Sequence, residues 1–173
     1  MIVRQATPAD AGGIARVHVD TWRSTYKGII SDDVLDGLSY DERQAMWSAA
    51  LTTRRSDNHI YVVEGENGEV VGFAAAGLER EQRTGRVGEI YAIYLLEEHQ
   101  GKGWGKQLFS EAVKRLKHEG YESMMLWVLA DNPTRGFYEA MGGTTSKQKD
   151  IEMGGDTLVE VAYEWERIDK LTV

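Results

Sequence analysis

Ile90-Tyr91-Ala92-Ile93-Tyr94-Leu95-Leu96-Glu97-Glu98-His99-Gln100-Gly101-Lys102-Gly103-Trp104-Gly105-Lys106 is an apolar, β-type run that ends in three alternating glycines and passes at once into a helix-forming stretch. A turn of this kind aims several free backbone N–H groups at one point, with the positive end of the helix dipole behind them. Phosphate or pyrophosphate binds such a place. Gly101, Gly103 and Gly105 carry no Cβ to hold an anion off the backbone, and Lys102 and Lys106 add positive charge at the rim. Glu97 and Glu98 work against this and are expected to point elsewhere. The same glycines also suit a plain strand-to-helix turn, and the loop alone leaves both readings open. It is neither a dinucleotide fingerprint nor a P-loop. The glycine spacing is wrong for the first, and no lysine followed by Ser or Thr comes after the last glycine, as the second requires.

Outward from the loop, Gly103 to His118 reads as an amphipathic helix. Leu108, Phe109, Ala112, Val113 and Leu116 form its stripe, Lys114, Arg115, Lys117 and His118 lie in its last turns, and Gly120 closes it. Ser123 to Leu129 is a buried strand, Thr134 to Met141 a short helix, and two strands flank Gly154-Gly155. Upstream, Ile60 to Glu64 and Val70 to Ala76 form a hairpin around Glu66-Asn67-Gly68-Glu69. Thr84-Gly85 marks a further turn before the strand Val87 to Leu96. Ile2 to Ala6 is a first strand, and Thr7-Pro8-Ala9-Asp10 opens a helix by a capping box whose buried face is Ile14, Val17, His18, Thr21 and Trp22. Gly28 is placed at its end. Ser31-Asp32-Asp33 starts a second short helix, and Ser39-Tyr40-Asp41-Glu42 caps one carrying Met46, Trp47 and Leu51. Helices interrupting a mostly antiparallel sheet make an α+β, or mixed α/β, single domain over 1–173.

The chain of 173 residues is 42% hydrophobic, with two prolines and no cysteine. Disorder, disulfides, thiol nucleophiles and thiolate metal sites are excluded together. The early residues turn polar too soon for a secretory signal, and no apolar run is long enough for a membrane span, so a cytoplasmic location is expected. The net charge of −8 repels nucleic acid and anionic membrane and tolerates a cationic substrate. His18, His59, His99 and His118 show no metal-ligand spacing, and no metal is expected.

The quoted stretch resembles the acetyl-CoA motif of the GNAT superfamily of N-acetyltransferases, Q/R-x-x-G-x-G/A after an apolar strand, filled here by Gln100, Gly103 and Gly105. Trp127-Val128-Leu129-Ala130-Asp131-Asn132-Pro133-Thr134-Arg135-Gly136-Phe137-Tyr138-Glu139-Ala140-Met141-Gly142 is similar to the family's other core segment. Two matches in the right order are far more specific than either alone. The stretch from Val17 to Ile29 also looks like one bacterial branch of the family. The resemblance implies a GNAT fold, a central, mostly antiparallel, twisted sheet of about seven strands flanked by helices. It also implies acetyl transfer from acetyl-CoA to a primary amine of a small molecule or peptide, by direct attack in a ternary complex. A homodimer is common in the family.

For the cofactor, the resemblance assigns Ile93, Tyr94 and Leu95 to the pantetheine arm and Gln100, Gly101, Lys102, Gly103, Trp104, Gly105 and Lys106 to the pyrophosphate. Asn132 matches a residue that contacts the arm, although it stands six positions before Tyr138 where seven is commoner; it also suits a plain helix cap before Pro133. Glu89 falls where the family often places the base that deprotonates the amine, and a solvated strand-end glutamate is the alternative. Tyr138 matches the tyrosine that protonates the departing thiolate. Trp22 and Tyr26 lie where the acceptor wall is built, with Asp32, Asp33 and Asp36 near enough in sequence to attract a cation. Two rivals share these features: an acyl-CoA-binding sensor that has lost turnover, and an enzyme that uses the loop for a nucleotide phosphate.

Overall fold

The computed structural model describes residues 1–53, 58–81 and 86–173; the turn expected at Thr84-Gly85 lies outside them. The centre of the fold is an antiparallel meander of β2 (Asn58–Glu64), β3 (Val70–Leu78) and β4 (Val87–Leu95). β1 (Ile2–Gln5) adds to β2. Beyond β4 come β5 (Ser123–Leu129), β7 (Asp156–Trp165) and β6 (Thr144–Met153), completing a seven-stranded sheet in the order β1-β2-β3-β4-β5-β7-β6. Among these strands only the β4–β5 neighbours are parallel. A parallel neighbour needs a crossover, and α4 (Trp104–His118) supplies it.

Side chains alternate across a strand, so Phe73 and Ala76 on β3 face opposite sides. Phe73 meets α1 (Ala11–Thr25) and α3 (Tyr40–Thr52) through His18 and Trp47. Ala76 sits among Phe109, Ala112 and Val113 of α4. The expected stripe of α4 is wholly buried. Both upstream caps form: the Asp10 carboxylate accepts from the Thr7 backbone N–H at 2.7 Å, and Ser39 Oγ accepts from the Glu42 N–H. Met46 departs from expectation, being exposed while Trp47 takes the core position.

Two irregularities shape the centre. Ala75 faces Ala92 and Ala76 faces Ile90, so Tyr91 is the extra residue of a β-bulge that bends β4. In addition, β4 and β5 pair only from Val87 to Glu89 against Ser123 to Met125. Past that point no pair joins them, although β4 runs on to Leu95 and β5 to Leu129. The sheet therefore opens into a V between its two central strands.

His18 links α1 to this region, stacked on Tyr94 with ring centroids 5.4 Å apart and accepting at Nδ1 from Trp47 Nε1 at 3.1 Å. Burial above all, with the charge of Arg43, lowers its pKa from 6.5 to about 4. The unfolded chain then binds a proton more readily than the folded one. The stability held by neutral His18 is complete above about pH 6.5 and is lost as pH falls towards 4. Urea midpoints should decline across that window, and His18→Gln should remove about 2 kcal/mol of the decline. An identical decline in the variant would place its origin elsewhere.

Candidate active site

The V holds two cavities. One, of about 410 Å³, runs from the glycine loop along Ile93, Tyr94 and Leu95 to Phe137 and Tyr138. Gly101 and Gly103 adopt left-handed backbone angles, φ +71° and +88°, which fold the chain so that Gly103 becomes the N-cap of α4. A Cβ at either would meet nothing within 4 Å, so their exposed backbone faces open space. Gln100, Gly105 and Lys106 line the same cavity. The Gln100 side chain folds back, its Nε2 donating to the Leu95 carbonyl at 2.9 Å, and this fastens the loop to the strand end. Glu97 and Glu98 are exposed and outside the cavity. Lys102 and Trp104 also stand apart from its lining; Lys102 Nζ donates to the Glu98 carbonyl, and Trp104 packs against the apolar core.

The second cavity, of about 370 Å³, lies on the other side of the V and is walled by Trp22, Tyr26, Tyr91 and Trp127. Its described charged groups are Arg80, Glu81, Glu89, Lys149 and Glu160. Asp32, Asp33 and Asp36, expected to attract a cation, are exposed on α2 (Asp32–Asp36) and do not reach it. Asp32 and Asp33 stand in the first turn of that short helix, where the helix dipole favours negative charge. Tyr26, Ile93, Tyr94, Asn132 and Tyr138 border both cavities, so the two meet at these residues.

Tyr138 sits on α5 (Gly136–Ala140), which is shorter than the helix expected from Thr134 to Met141. Asn132 explains the delay. Its Oδ1 accepts from Thr134 N–H at 2.7 Å and from Thr134 Oγ1, which holds an Asx turn ahead of the helix. Its Nδ2 donates to the Tyr26 hydroxyl at 3.0 Å, tying the end of α1 to the start of α5. Burial, reinforced by the neighbouring Tyr94, Tyr26 and Tyr163 hydroxyls, pushes the Tyr138 phenol well above the usual tyrosine value. Its hydroxyl is therefore protonated at any working pH. Glu89 is 1% exposed. Its carboxylate accepts three hydrogen bonds from Arg80, at 3.0 Å from the backbone N–H and at 3.2 and 2.7 Å from the guanidinium. Among the described residues no group of three or more His, Asp or Glu is placed to hold a metal ion.

The acetyltransferase (GNAT) family model matches residues 18–143, from the middle of α1 to just past α5. The chain belongs to this family. It is similar to YuaI, an uncharacterized N-acetyltransferase of Bacillus subtilis, at 39% identity over 98% of this chain and 95% of that one. The fold is similar to that of PaiA N-acetyltransferase from Thermoplasma acidophilum, solved with coenzyme A (TM-score 0.72, 20% identity, 95% of this chain and 98% of that one). It is also similar to yncA from Salmonella typhimurium, solved with acetyl-CoA (TM-score 0.74, 22% identity, 100% of this chain and 96% of that one). The family model ends before β6 and β7, whereas the likeness to yncA spans the whole of this chain.

Several lining residues escaped the sequence reading. Thr21 and Thr25 reach the first cavity from α1. Arg80, Tyr91, Trp127, Lys149 and Glu160 reach the second. One of them left a signal: Glu160 interrupts the apolar run Leu158-Val159-Glu160-Val161-Ala162, where a charge inside a strand needs a reason.

Proposed function

We propose that this GNAT protein, as one domain over 1–173 and in the cytoplasm, transfers an acetyl group from acetyl-CoA to a primary amine of a small molecule or peptide by direct attack in a ternary complex. The observation that carries the reading is the V itself: a glycine-loop cavity and a charged cavity that meet at Tyr138, with a strand edge left open between them.

The residues fit the donor. The backbone of Gln100, Gly101, Gly103 and Gly105 would take the pyrophosphate, with Lys106 beside it and Lys102 contributing only long-range charge. The β5-facing edge of β4 beyond Glu89 has no strand partner, so Ile93, Tyr94 and Leu95 offer main-chain groups to the amides of a pantetheine arm. Asn132 braces the junction through Tyr26 and retains one amide hydrogen for a ligand. Bound acetyl-CoA supplies an activated thioester carbonyl at the junction.

The chain's own groups then divide the work. Tyr138, held protonated, donates to the departing sulfur. The acceptor lies against the wall that Trp22 and Tyr26 form together, and its ammonium surrenders a proton to the acidic side of the second cavity, where Glu89 stands. PaiA and yncA were solved with coenzyme A and acetyl-CoA, which supports the donor. A panel of amines with acetyl-CoA, read by thiol release, should give turnover with at least one compound. Coenzyme A binding without turnover on any amine would instead indicate a sensor, and tight ATP binding without coenzyme A binding would overturn the reading.

A further inference from the structure

The carboxylates of the second cavity are not equally free to take a proton. Glu89 receives three hydrogen bonds from Arg80, and Glu81 is paired with Lys149. Among the described residues, Glu160 is a half-buried carboxylate whose ion-pair partner, Lys149 Nζ, lies at 3.9 Å, beyond hydrogen-bond reach. A proton accepted by Glu89 would cost its bonds to a guanidinium. A proton accepted by Glu160 costs no hydrogen bond of that kind.

Position favours Glu160 as well. In the sheet register Glu89 lies beside Met125, where β4 and β5 are still paired, at the closed end of the V. Glu160 lies beside Leu129, the last residue of β5 and close in sequence to Asn132. Met125 and Leu129 are separated by about 13 Å of strand. The Glu160 charge also reaches the junction. After burial, it is among the influences that raise the Tyr26 and Tyr94 hydroxyls.

We propose that Glu160 is the proton acceptor for the acceptor amine, and that Glu89 is a positioning residue that holds Arg80 over the Tyr91 ring. This rests on the acetyl-transfer reading above. The ammonium gives one proton to the Glu160 carboxylate, which passes it to solvent. The freed nitrogen lone pair forms the C–N bond to the acetyl carbonyl as the C–S bond breaks, its electron pair leaving on sulfur. Tyr138 protonates the sulfur and recovers a proton from the nitrogen, so the products are an amide and a thiol. Burial raises the Glu160 carboxyl above its ordinary range, with Lys149 lowering it, Glu81 raising it, Arg80 lowering it and Glu89 raising it. A base so tuned is stronger than a free carboxylate.

The test is the pH dependence of kcat with saturating amine and acetyl-CoA. Glu160→Gln should lower kcat at least about tenfold near pH 7, and the deficit should close to within about threefold near pH 9.5, where bulk base frees the amine. Its acetyl-CoA affinity should match the wild type. Glu160→Asp should retain an acid limb, and Glu89→Gln should retain the wild-type limb at whatever rate it turns over. A deficit constant with pH in both Glu160 variants, or an acid limb lost in Glu89→Gln and kept in Glu160→Gln, overturns the assignment. Absence of wild-type turnover on every amine overturns the acetyl-transfer reading and this assignment with it; a wild type that turns over isolates the failure to Glu160.

Discussion

Gly103→Val should abolish acetyl-CoA binding, weakening the dissociation constant by more than about a hundredfold. Gly103 sits at φ +88°, where a β-branched side chain is strained by about 1–3 kcal/mol, and the loop would shift to relieve it. Strain is only part of the effect. A Cβ there meets no atom within 4 Å, and Gly103 lines the first cavity, so the isopropyl group takes up space at the wall where the anion is proposed to bind. An anion could no longer approach the positive end of α4. Gly120→Val provides the control. Gly120 has φ +86°, also with nothing within 4 Å of an added Cβ, but it lies at the opposite end of the same helix. Urea unfolding should show a comparable stability loss in both variants, and titration calorimetry a loss of acetyl-CoA affinity only at Gly103. Normal affinity in Gly103→Val would refute the loop assignment.

Tyr138→Phe should lower kcat by about a hundredfold, the low end for a positioned proton donor, with the acetyl-CoA dissociation constant within about twofold of wild type. Phenylalanine keeps the ring packed against Phe137 and Tyr163, whose centroids lie 5.5 and 5.7 Å away, so the fold should be undisturbed. Only the hydroxyl is removed. Because burial holds that hydroxyl protonated far into the alkaline range, no alkaline limb of the wild-type profile should belong to it. An unchanged rate in the variant would take Tyr138 out of the mechanism.

The fold was highly legible. The strand-loop-helix from Ile90 to Lys106, the stripe of α4 and the Ser39 cap are local patterns, and each formed as read. Periodicity and capping act within a few residues, and the buried faces agree with them. Legibility fell where a distant partner intervened. Asn132 delayed α5 because its side chain completes a turn with Thr134 and reaches Tyr26 on α1. Met46 left the core because the face of α3 that meets β3 carries Trp47.

The candidate site divides along the same line. The strand end and glycine loop of the first cavity lie in one continuous stretch, so their spacing carried the anion reading, and the GNAT likeness of that stretch pointed to coenzyme A. The second cavity is assembled from the residues after β3, from β4, β5, β6 and β7, and from the end of α1, elements far apart in the chain. No local pattern relates Arg80 to Glu89, or Lys149 to Glu160. Even within the legible part, the spacing did not show that the Lys102 side chain turns to the Glu98 carbonyl and the Trp104 ring packs against the core.

The sequence by itself determined the family, the order of elements and the glycine loop before α4, because these follow from short-range backbone preferences and a compact motif. Tertiary structure decided where the sheet opens, which carboxylate is held by a guanidinium and which has only the more distant Lys149, and that Tyr138 stands where the two cavities meet. Those depend on strand register and on the burial of charges by remote residues, and neither is written in any one segment of the chain.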